Sequence, residues 1–447
     1  PLNALGSILN SSFSVLFSQM TKTLLFGCGI SSSMIHLITL GIIFIVLFIS
    51  FIWIFLYLGG AKEYPMYQLK QHEKITIAIP AYNEEDGVIE SLRSLRQLDY
   101  SKKYMDIIVI DDGSTDQTGK NVKTFIRKNT DMQVRYIHQS NSGKAAAVNH
   151  AIKKAEGKYF SVLDADSTVS PDSLKNIIAL FQHSEPTVGA IISSMKISNT
   201  HKFLPRVQRI EYLVTIFLRQ LMSDADLLHT THGVLCVTRL ETVKDLGGFD
   251  TENITEDFEI AVRLRSQGYR VISCKNSLVY TNAPETLRTF WQQRIRWYRG
   301  FIETHRKYKH MIANTRFGML GWFQLPLNII TPIILLVAFA VMVYNISSSL
   351  YHFLFRLVFV DGYLWALFST VPSIREFLLT LRIHITLPIF ITTLVGLLMI
   401  FLAVRFIDDR FRNPIPILIY LFLFPPLTML QWVWAIYLEI RKANKKW

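Results

Sequence analysis

Two aspartates separated by a single residue follow an apolar segment that has the character of a buried strand. Asp164 and Asp166 flank Ala165 directly after residues 159–163. Hard divalent cations take oxygen ligands and share them with the phosphates of a substrate. Most such triplets are surface turns, and a cap for the helix predicted near Pro171 is the simpler alternative here. The triplet alone therefore predicts only a candidate cation site at a strand end.

A second acidic motif could supply a general base. Glu256 and Asp257 follow Thr255 and precede an amphipathic segment, residues 258–265. Transfer of a group to a hydroxyl needs a base on the acceptor oxygen, and a carboxylate in that role contributes about 10²–10⁴-fold to the rate. Asp257 is the candidate, with Glu256 beside it. Spacing alone favours the alternative, a threonine N-cap followed by acids in the first helical turn.

Polar residues also follow the earlier apolar segments, and their types suit a nucleotide. The first of these apolar segments is followed by Pro80, Tyr82 and Glu84. The ring of Tyr82 could stack on a nucleotide base. Asp112 could accept a hydrogen bond from a uracil imide or a ribose hydroxyl, and Lys144 offers a point charge for phosphate. Each has a structural alternative: a turn, a helix cap or an exposed lysine.

Residues 290–300 mix aromatic side chains with arginines. Gln293, Arg294, Arg296 and Trp297 are the candidates here, because aromatic faces pack on sugar rings and arginine forks bind phosphate. An amphipathic helix at the membrane surface would have the same composition. The two interpretations are compatible.

Cysteine and histidine spacing gives no metal centre. Cys28, Cys236 and Cys274 are far apart, which predicts neither a disulfide framework nor a zinc site. His229 and His232 have the types of metal ligands at an i, i+3 spacing, but such a pair is more often structural.

Composition points to a membrane protein with a globular domain. The chain has 447 residues, half of them hydrophobic, and a net charge of +13. This length allows a catalytic domain plus a membrane part. No nucleic-acid-binding motif accompanies the charge, so anionic lipid and a polyanionic small molecule are the expected partners, and nucleic acid is not.

Alternating strand and helix patterns occupy residues 74–310. Fully apolar strands separated by amphipathic helices predict a parallel sheet covered on both faces. Ligands of such sheets bind at the carboxyl ends of the strands. Predicted strands are residues 75–79, 107–110, 134–138 and 159–163, and predicted helices are residues 86–98, 118–128 and 145–154.

The N-terminal part contains one clear candidate span. Residues 34–58 carry no charge and are long enough to cross a hydrocarbon core of roughly 30 Å. Residues 1–33 are expected to be a partial span or an interfacial segment. Lysines at 62, 70 and 74 follow the span, so the positive-inside rule places residues 74–310 in the cytoplasm. Interfacial helices are predicted near residues 202–222 and 286–305.

The C-terminal part, residues 325–437, predicts three or four further spans. Residues 349–371 are the ambiguous segment, because they contain Arg356 and Asp361, each costing about 2.5–3.5 kcal/mol at a bilayer centre. A basic tail, residues 438–447, is expected in the cytoplasm, which requires an even number of spans before it. The arginines of residues 405–412 favour an odd number of spans, because four spans would place this loop outside the cytoplasm.

In order and spacing, these motifs resemble the membrane-integrated polysaccharide synthases of glycosyltransferase family 2, such as cellulose, hyaluronan and poly-N-acetylglucosamine synthases. The resemblance covers residues 74–310 and the flanking spans in outline. It rests on the following pieces: Pro80 to Glu85, Asp111 to Ser114, Gly143-Lys144, Asp164 to Asp166, Thr255 to Asp257, Pro284 to Leu287 and Gln293 to Trp297.

The resemblance implies an α/β GT-A fold, Rossmann-like with a mostly parallel sheet, embedded between transmembrane helices. It implies that Tyr82 and Asp112 hold the uridine of a UDP-sugar, with Pro80, Glu84, Lys144 and Asp164 around the donor. Asp166 would bind Mg²⁺ or Mn²⁺, and Asp257 would be the base. The acceptor and diphosphate would meet Gln293, Arg294, Arg296 and Trp297.

The sequence therefore predicts an inverting glycosyltransferase of the plasma membrane that extends a β-linked polysaccharide from a UDP-sugar, with export coupled to synthesis and an accessory export subunit as further options. The alternative is a single sugar transfer to a membrane lipid such as ceramide or a polyprenol. The sequence departs from the family pattern at His232, because many relatives carry a different residue before the glycine that corresponds to Gly233. By the resemblance, this position belongs to the acceptor pocket.

Overall fold

The computed structural model describes residues 32–60, 65–369, 373, 383–411 and 413–444. The segment predicted for residues 1–33 lies almost entirely outside this range, as does the end of the basic tail. The chain divides into two compact units, one of residues 1–50 and 337–394 and the other of residues 51–336 and 395–447. The second contains the sheet and is called the sheet unit.

An eight-stranded sheet forms the centre of the sheet unit, in the order β3-β2-β1-β4-β7-β6-β8-β5. Strands β1 to β4 form a parallel half in which Ile75 pairs with Met105 and with Tyr159. β7 is antiparallel to both β4 and β6. The strands are β1 Ile75–Ala81, β2 Met105–Asp111, β3 Gln133–His138, β4 Tyr159–Val162, β5 Thr168–Val169, β6 Val188–Ile197, β7 Cys236–Arg239 and β8 Arg270–Thr281.

Alternate residues of the parallel strands bury on opposite faces of the sheet. Ile77 and Ile107 belong to one hydrophobic core, whereas Ala78, Ile108 and Phe160 belong to the other. A strand that is buried on both faces is read in the sequence as an unbroken apolar run. The predicted doubly covered sheet is therefore confirmed.

Helices cover both faces of this sheet. α1 Ser32–Gly59 precedes the sheet in the sequence, and the α-helices described between β1 and residue 310 are α2 Gly87–Arg96, α3 Thr118–Lys128, α4 Lys144–Lys154, α5 Ser173–His183, α6 Phe203–Asp224, α7 Leu240–Asp245, α8 Glu256–Ser266 and α9 Leu287–Lys307. A capping box of Thr286 and Thr289 starts α9, satisfying amide groups that a helix N-terminus leaves without partners.

Three of the described helices are long and apolar enough to cross a membrane: Ser33–Gly59, Leu320–Phe359 and Ile389–Phe406. The C-terminal helices are α10 Leu325–Phe359, α11 Tyr363–Ser369, α12 Ile383–Phe406, α13 Ile415–Phe422 and α14 Phe424–Ile440. Within the described residues, the ambiguous segment forms no span of its own, since residues 349–359 finish α10 and residues 363–369 form the short α11.

The last apolar segment is a broken helix. α13 and α14 meet at an angle of 41°, and two prolines, Pro425 and Pro426, begin α14 and limit continuation of the preceding helix. α13 packs on α6, while α14 runs beside α9, where Tyr298 stacks on Trp432 with ring centroids 4.4 Å apart. This segment is therefore part of the sheet unit.

Candidate active site

Asp112 organises the loop that precedes α4. Its buried carboxylate accepts hydrogen bonds from the backbone N–H groups of Ser142 and Gly143, both at 2.9 Å, and from the Gln139 side chain at 2.8 Å. Gly143 has φ +89°, a left-handed conformation that favours glycine. Asp112 thus fixes the approach to Lys144, the first residue of α4.

The loops after β1 and β2 are interlocked. The Asn83 amide oxygen accepts from the N–H of Thr115 at 2.8 Å, and the Asn83 N–H donates to the Ser114 hydroxyl at 3.0 Å. Tyr82 projects from this joint with 51% of its surface exposed. An exposed ring on a fixed loop is available for stacking, which is compatible with the predicted role of Tyr82.

Lys144 is the electrostatic centre of the site. Its Nζ lies 2.5 Å from Asp164 Oδ1 and 3.5 Å from Glu256 Oε1. Burial alone would lower the pKa of Lys144, but the charges of Asp164, Glu256 and Asp257 outweigh it and hold that pKa above its ordinary value. Two motifs about ninety residues apart in the sequence are thereby joined by one ammonium group.

Gly233 fits against this ion pair because it has no side chain. A Cβ at this position would lie 2.7 Å from Lys144 Nζ and 3.1 Å from both carboxylate oxygens of Asp164. The loop of residues 227–233 therefore closes directly over the pair. Sequence analysis mentioned Gly233 only as the residue that follows His232 and did not name it as a site residue.

Asp166 and Glu84 form an acidic cluster beside the ion pair. Burial, followed by the charges of Asp166, Asp116 and Asp164, raises the pKa of Glu84 to about 7. Loss of solvent and the Asp164 carboxylate likewise raise the pKa of Asp166. Carboxylates that raise one another's pKa in this way are chemically suited to a hard cation.

The acidic cluster could hold a cation only with help from another molecule. Within the described residues, no group of three or more His, Cys, Asp or Glu side chains is arranged to hold a metal ion by itself. Mg²⁺ is commonly bound by one or two carboxylates plus substrate phosphates. Asp166, with Asp164 and Glu84 nearby, fits that pattern.

Glu256 and Asp257 begin α8 and line one small cavity together with Lys144 and Gly233. Burial raises the pKa of Glu256, against the opposing charge of Lys144. Asp257 is only half-buried, and its backbone carbonyl accepts a hydrogen bond from the Thr231 hydroxyl. Both residues thus line the same cavity, and the Asp257 side chain is more accessible to solvent than that of Glu256.

The arginines of α9 have different environments. Arg294 is buried, donates to Glu211 of α6 at 2.7 Å and stacks over the Trp297 ring at 4.3 Å. Its guanidinium is therefore occupied in holding α9 to α6. Arg296 and Gln293 are half-buried on the same helix.

Trp297 packs against a buried cluster of Ile197, Tyr212 and Ala283, of which Tyr212 lies on α6. Burial is the largest influence on Tyr212 and raises the pKa of its hydroxyl. Trp297 therefore helps to join α9 to α6.

Arg299 clamps the C-terminal helix. Its guanidinium donates to Glu439 at 2.7 Å and to the Ala443 carbonyl at 2.6 Å, and both charged side chains are buried. No sequence signal connected these residues, which are 140 positions apart.

His229 and His232 do not share a site. His229 interacts with the Leu227 carbonyl and with Asn328, whereas His232 interacts with the Ser193 carbonyl. Burial lowers the pKa of each to about 4. They are neutral structural histidines, as their spacing favoured.

The fold and the site together define an α/β domain of the GT-A type, with acidic residues at the carboxyl ends of parallel strands. A solved structure of similar fold is the mannosyltransferase PcManGT from Pyrobaculum calidifontis in complex with GDP-Man and Mn²⁺. It is 23% identical with a TM-score of 0.56, over 82% of this chain and 98% of that one.

Residues 76–247 match the family model described as Glycosyl transferase family 2. Its curated relatives include the poly-β-1,6-N-acetyl-D-glucosamine synthase of Staphylococcus aureus strain MSSA476, which is 35% identical over 53% of this chain and 56% of the relative. The enzyme of the same name from Staphylococcus epidermidis is 33% identical over 58% of this chain and 64% of the relative. The chain thus spans less than two thirds of these relatives.

Proposed function

We propose that the protein is a membrane-embedded inverting glycosyltransferase that moves a sugar from a UDP-sugar to the growing end of a β-linked polysaccharide. The observation that carries the proposal is the junction at Lys144, which joins Asp164 of one motif to Glu256 of another beside the cavity that Lys144, Glu256 and Asp257 line. The two curated relatives are named for poly-β-1,6-N-acetylglucosamine, which makes N-acetylglucosamine the first sugar to test.

On the donor side, the chain provides a basic and an acidic surface for the diphosphate. Pro80, Tyr82 and Glu84 would border the nucleotide, while Asp112 holds the loop that places Lys144. Lys144 would bind phosphate by exchanging part of its contact with Asp164. A divalent cation at Asp166 would neutralise charge on the departing UDP when bound.

On the acceptor side, Asp257 would accept the proton of the attacking hydroxyl. The oxygen of the acceptor hydroxyl would then form a bond to the anomeric carbon as the bond between that carbon and UDP breaks. This displacement would invert the configuration at the anomeric carbon. Glu256 stays close to Lys144 and keeps the amine in place. Trp297 would pack on the acceptor sugar, while Gln293 and Arg296 would lie near the diphosphate.

A membrane location is supported by the three described helices that are long and apolar enough to cross a membrane and by the bent helix pair. We propose the plasma membrane, with the sheet unit in the cytoplasm where nucleotide sugars are made. An accessory export subunit remains part of this proposal.

The proposal is tested by incubating purified protein with a panel of labelled UDP-sugars and separating the products by size. A ladder of labelled oligosaccharides from UDP-N-acetylglucosamine is the expected result. A single lipid-soluble product would instead establish the lipid acceptor as the substrate. No product and no UDP release from any UDP-sugar would contradict the proposal.

A further inference from the structure

A polar junction lies at the start of α10 and includes His229, one of the histidines discussed above. The side-chain amide nitrogen of Asn328, in the first turn of α10, lies 2.8 Å from His229 Nε2 and 3.3 Å from His305 Nε2. The Asn328 amide oxygen accepts from Gln324 at 2.8 Å. We call Asn328, Gln324, His229 and His305 the Asn328 junction.

The hydrogen bonds of the Asn328 junction determine the state of both imidazoles. An asparagine amide carries two N–H donors, and each points at one Nε2. The Nδ1 atoms of His229 and His305 lie 2.9 Å from the carbonyls of Leu227 and Phe301, so Nδ1 is the protonated nitrogen in each ring. The junction is complete only when both histidines are neutral.

The surroundings keep these histidines neutral. Burial lowers the pKa of His229 to about 4 and also lowers the pKa of His305. The other charged groups that act on His229 are Arg265 of α8 and Arg219 of α6, and both disfavour a positive imidazole. At neutral pH both rings are therefore acceptors for Asn328.

Each histidine belongs to an element that contacts the active-site residues. His229 lies in the loop of residues 227–233, whose Thr231 holds the backbone of Asp257. His305 lies on α9 and stacks on Phe258, the residue after Asp257, with ring centroids 5.8 Å apart. Both paths therefore end at the first turn of α8.

Asn328 is placed to transmit the position of a membrane helix. It belongs to the candidate span Leu320–Phe359, which starts with a π-helical turn, residues 320–324. Such turns are rare in proteins, and those that do occur are often found at functional sites. A rotation of this span would withdraw Asn328 from both imidazoles at once.

We propose that Asn328 is a positioning residue, which joins the membrane-spanning helix α10 to the loop and the helix that hold Asp257 in place. This inference rests on the proposed function for its kinetic consequence. Its structural part, the coupling of α10 to residues 227–233 and 256–262, holds whatever the substrate is.

The structural part is tested by hydrogen–deuterium exchange on the full-length protein in detergent. Asn328→Leu should raise exchange in peptides covering residues 227–233 and 256–262, with no change in peptides covering β1 and β2. Asn345→Leu is the matched control, since Asn345 is exposed on the same helix. Equal exchange in the two variants would overturn the inference even if the protein transfers no sugar.

The kinetic part is read from UDP release. Asn328→Leu should reduce kcat by about tenfold or more, because a small misplacement of a catalytic group is costly, while UDP affinity stays within about twofold. Asn345→Leu should behave like the unmodified protein. An unchanged kcat for Asn328→Leu, in a protein that is otherwise active, would remove Asn328 from the mechanism and leave the proposed function intact.

Asn328→Asp provides a test that a packing defect would not mimic. An aspartate offers only acceptors to the two Nε2 atoms, and its negative charge raises the pKa of the adjoining imidazoles, so the junction reforms when an imidazole gains a proton. Activity and exchange protection of this variant should therefore recover as the pH falls from about 8 to about 6, whereas the unmodified protein should show no such gain. If activity and exchange protection of Asn328→Asp do not recover at low pH, the positioning role is contradicted. This test does not require Asn328→Leu to fold.

Discussion

The donor side and the acceptor side of the candidate site are built in different ways. On the donor side, Asp112 and Lys144 are placed by the ends of parallel strands and by loops within about thirty residues of them. On the acceptor side, Arg294 and Arg299 of α9 are held by partners in α6 and α14, 83 and 140 positions away. Residue types that look equivalent in sequence therefore have different roles.

This difference separates residues that act on a ligand from residues that hold the helices around it. Lys144 is paired with Asp164 beside the cavity that Asp257 lines, where a ligand could exchange with the pair. Arg294 and Arg299 are paired with carboxylates of other helices and do not line that cavity. Variants on the two sides should consequently affect different measurements, UDP binding and transfer on one hand and stability on the other.

The largest effect is expected for Asp257→Asn. Loss of the base should reduce UDP release by about 10²–10⁴-fold while UDP affinity changes little. The matched control is Glu252→Gln, an exposed acid in the same segment, which should keep full activity. Undiminished UDP release from Asp257→Asn would disprove the assignment of the base.

Arg299→Met should lower stability rather than UDP affinity. It leaves Glu439 buried without its partner, and breaking a buried ion pair from one side costs about 3–5 kcal/mol. The double variant with Glu439→Gln should be less destabilised than the single variant. Thermal unfolding in detergent measures both. If Arg299→Met is as stable as the unmodified protein, the ion pair between Arg299 and Glu439 does not stabilise the attachment of α14.

Lys144→Met should weaken UDP binding by about 10- to 100-fold, because a hydrogen bond to a charged group contributes about 1.5–3 kcal/mol. Calorimetry measures the affinity. Lys153→Met, at the other end of the same helix and exposed, is the control. Equal affinities for the two variants would exclude Lys144 from the donor site.

The smallest expected effect is a pH dependence at Glu84. Its pKa in the folded protein, about 7, lies above the ordinary carboxyl value, so the fold favours the neutral acid. This contribution to stability is present at low pH and is lost as the pH rises through 7. Glu84→Gln should reduce the fall in unfolding temperature between pH 5 and 8 by about a few degrees. Glu90→Gln, exposed on α2, should not change that fall.

The parallel half of the sheet could be predicted from the sequence because its strands are unbroken apolar runs. The predicted strand at residues 107–110 is observed as Met105–Asp111, and that at 159–163 as Tyr159–Val162. The antiparallel β7 between β4 and β6 could not be predicted in this way, because its place depends on pairing between distant segments. Propensity alone does not encode that order.

Side-chain partners were the least predictable part of the site. Nothing in the spacing of residues 290–300 distinguishes Arg294, which pairs with Glu211, from Arg296. The break in the last apolar segment did have a signal, Pro425 followed by Pro426, and a proline pair there indicates an interrupted helix. Hydropathy alone favours a single continuous span over residues 415–437.

The most direct test of the account is calorimetric titration of UDP, with and without Mn²⁺, into the purified protein and two variants. UDP should bind the unmodified protein and Asp257→Asn with equal affinity, more tightly in the presence of the cation, and bind Asp166→Asn without any gain from Mn²⁺. An unmodified protein that binds no UDP under either condition would contradict the assignment of a nucleotide site to the carboxyl ends of β1, β2 and β4.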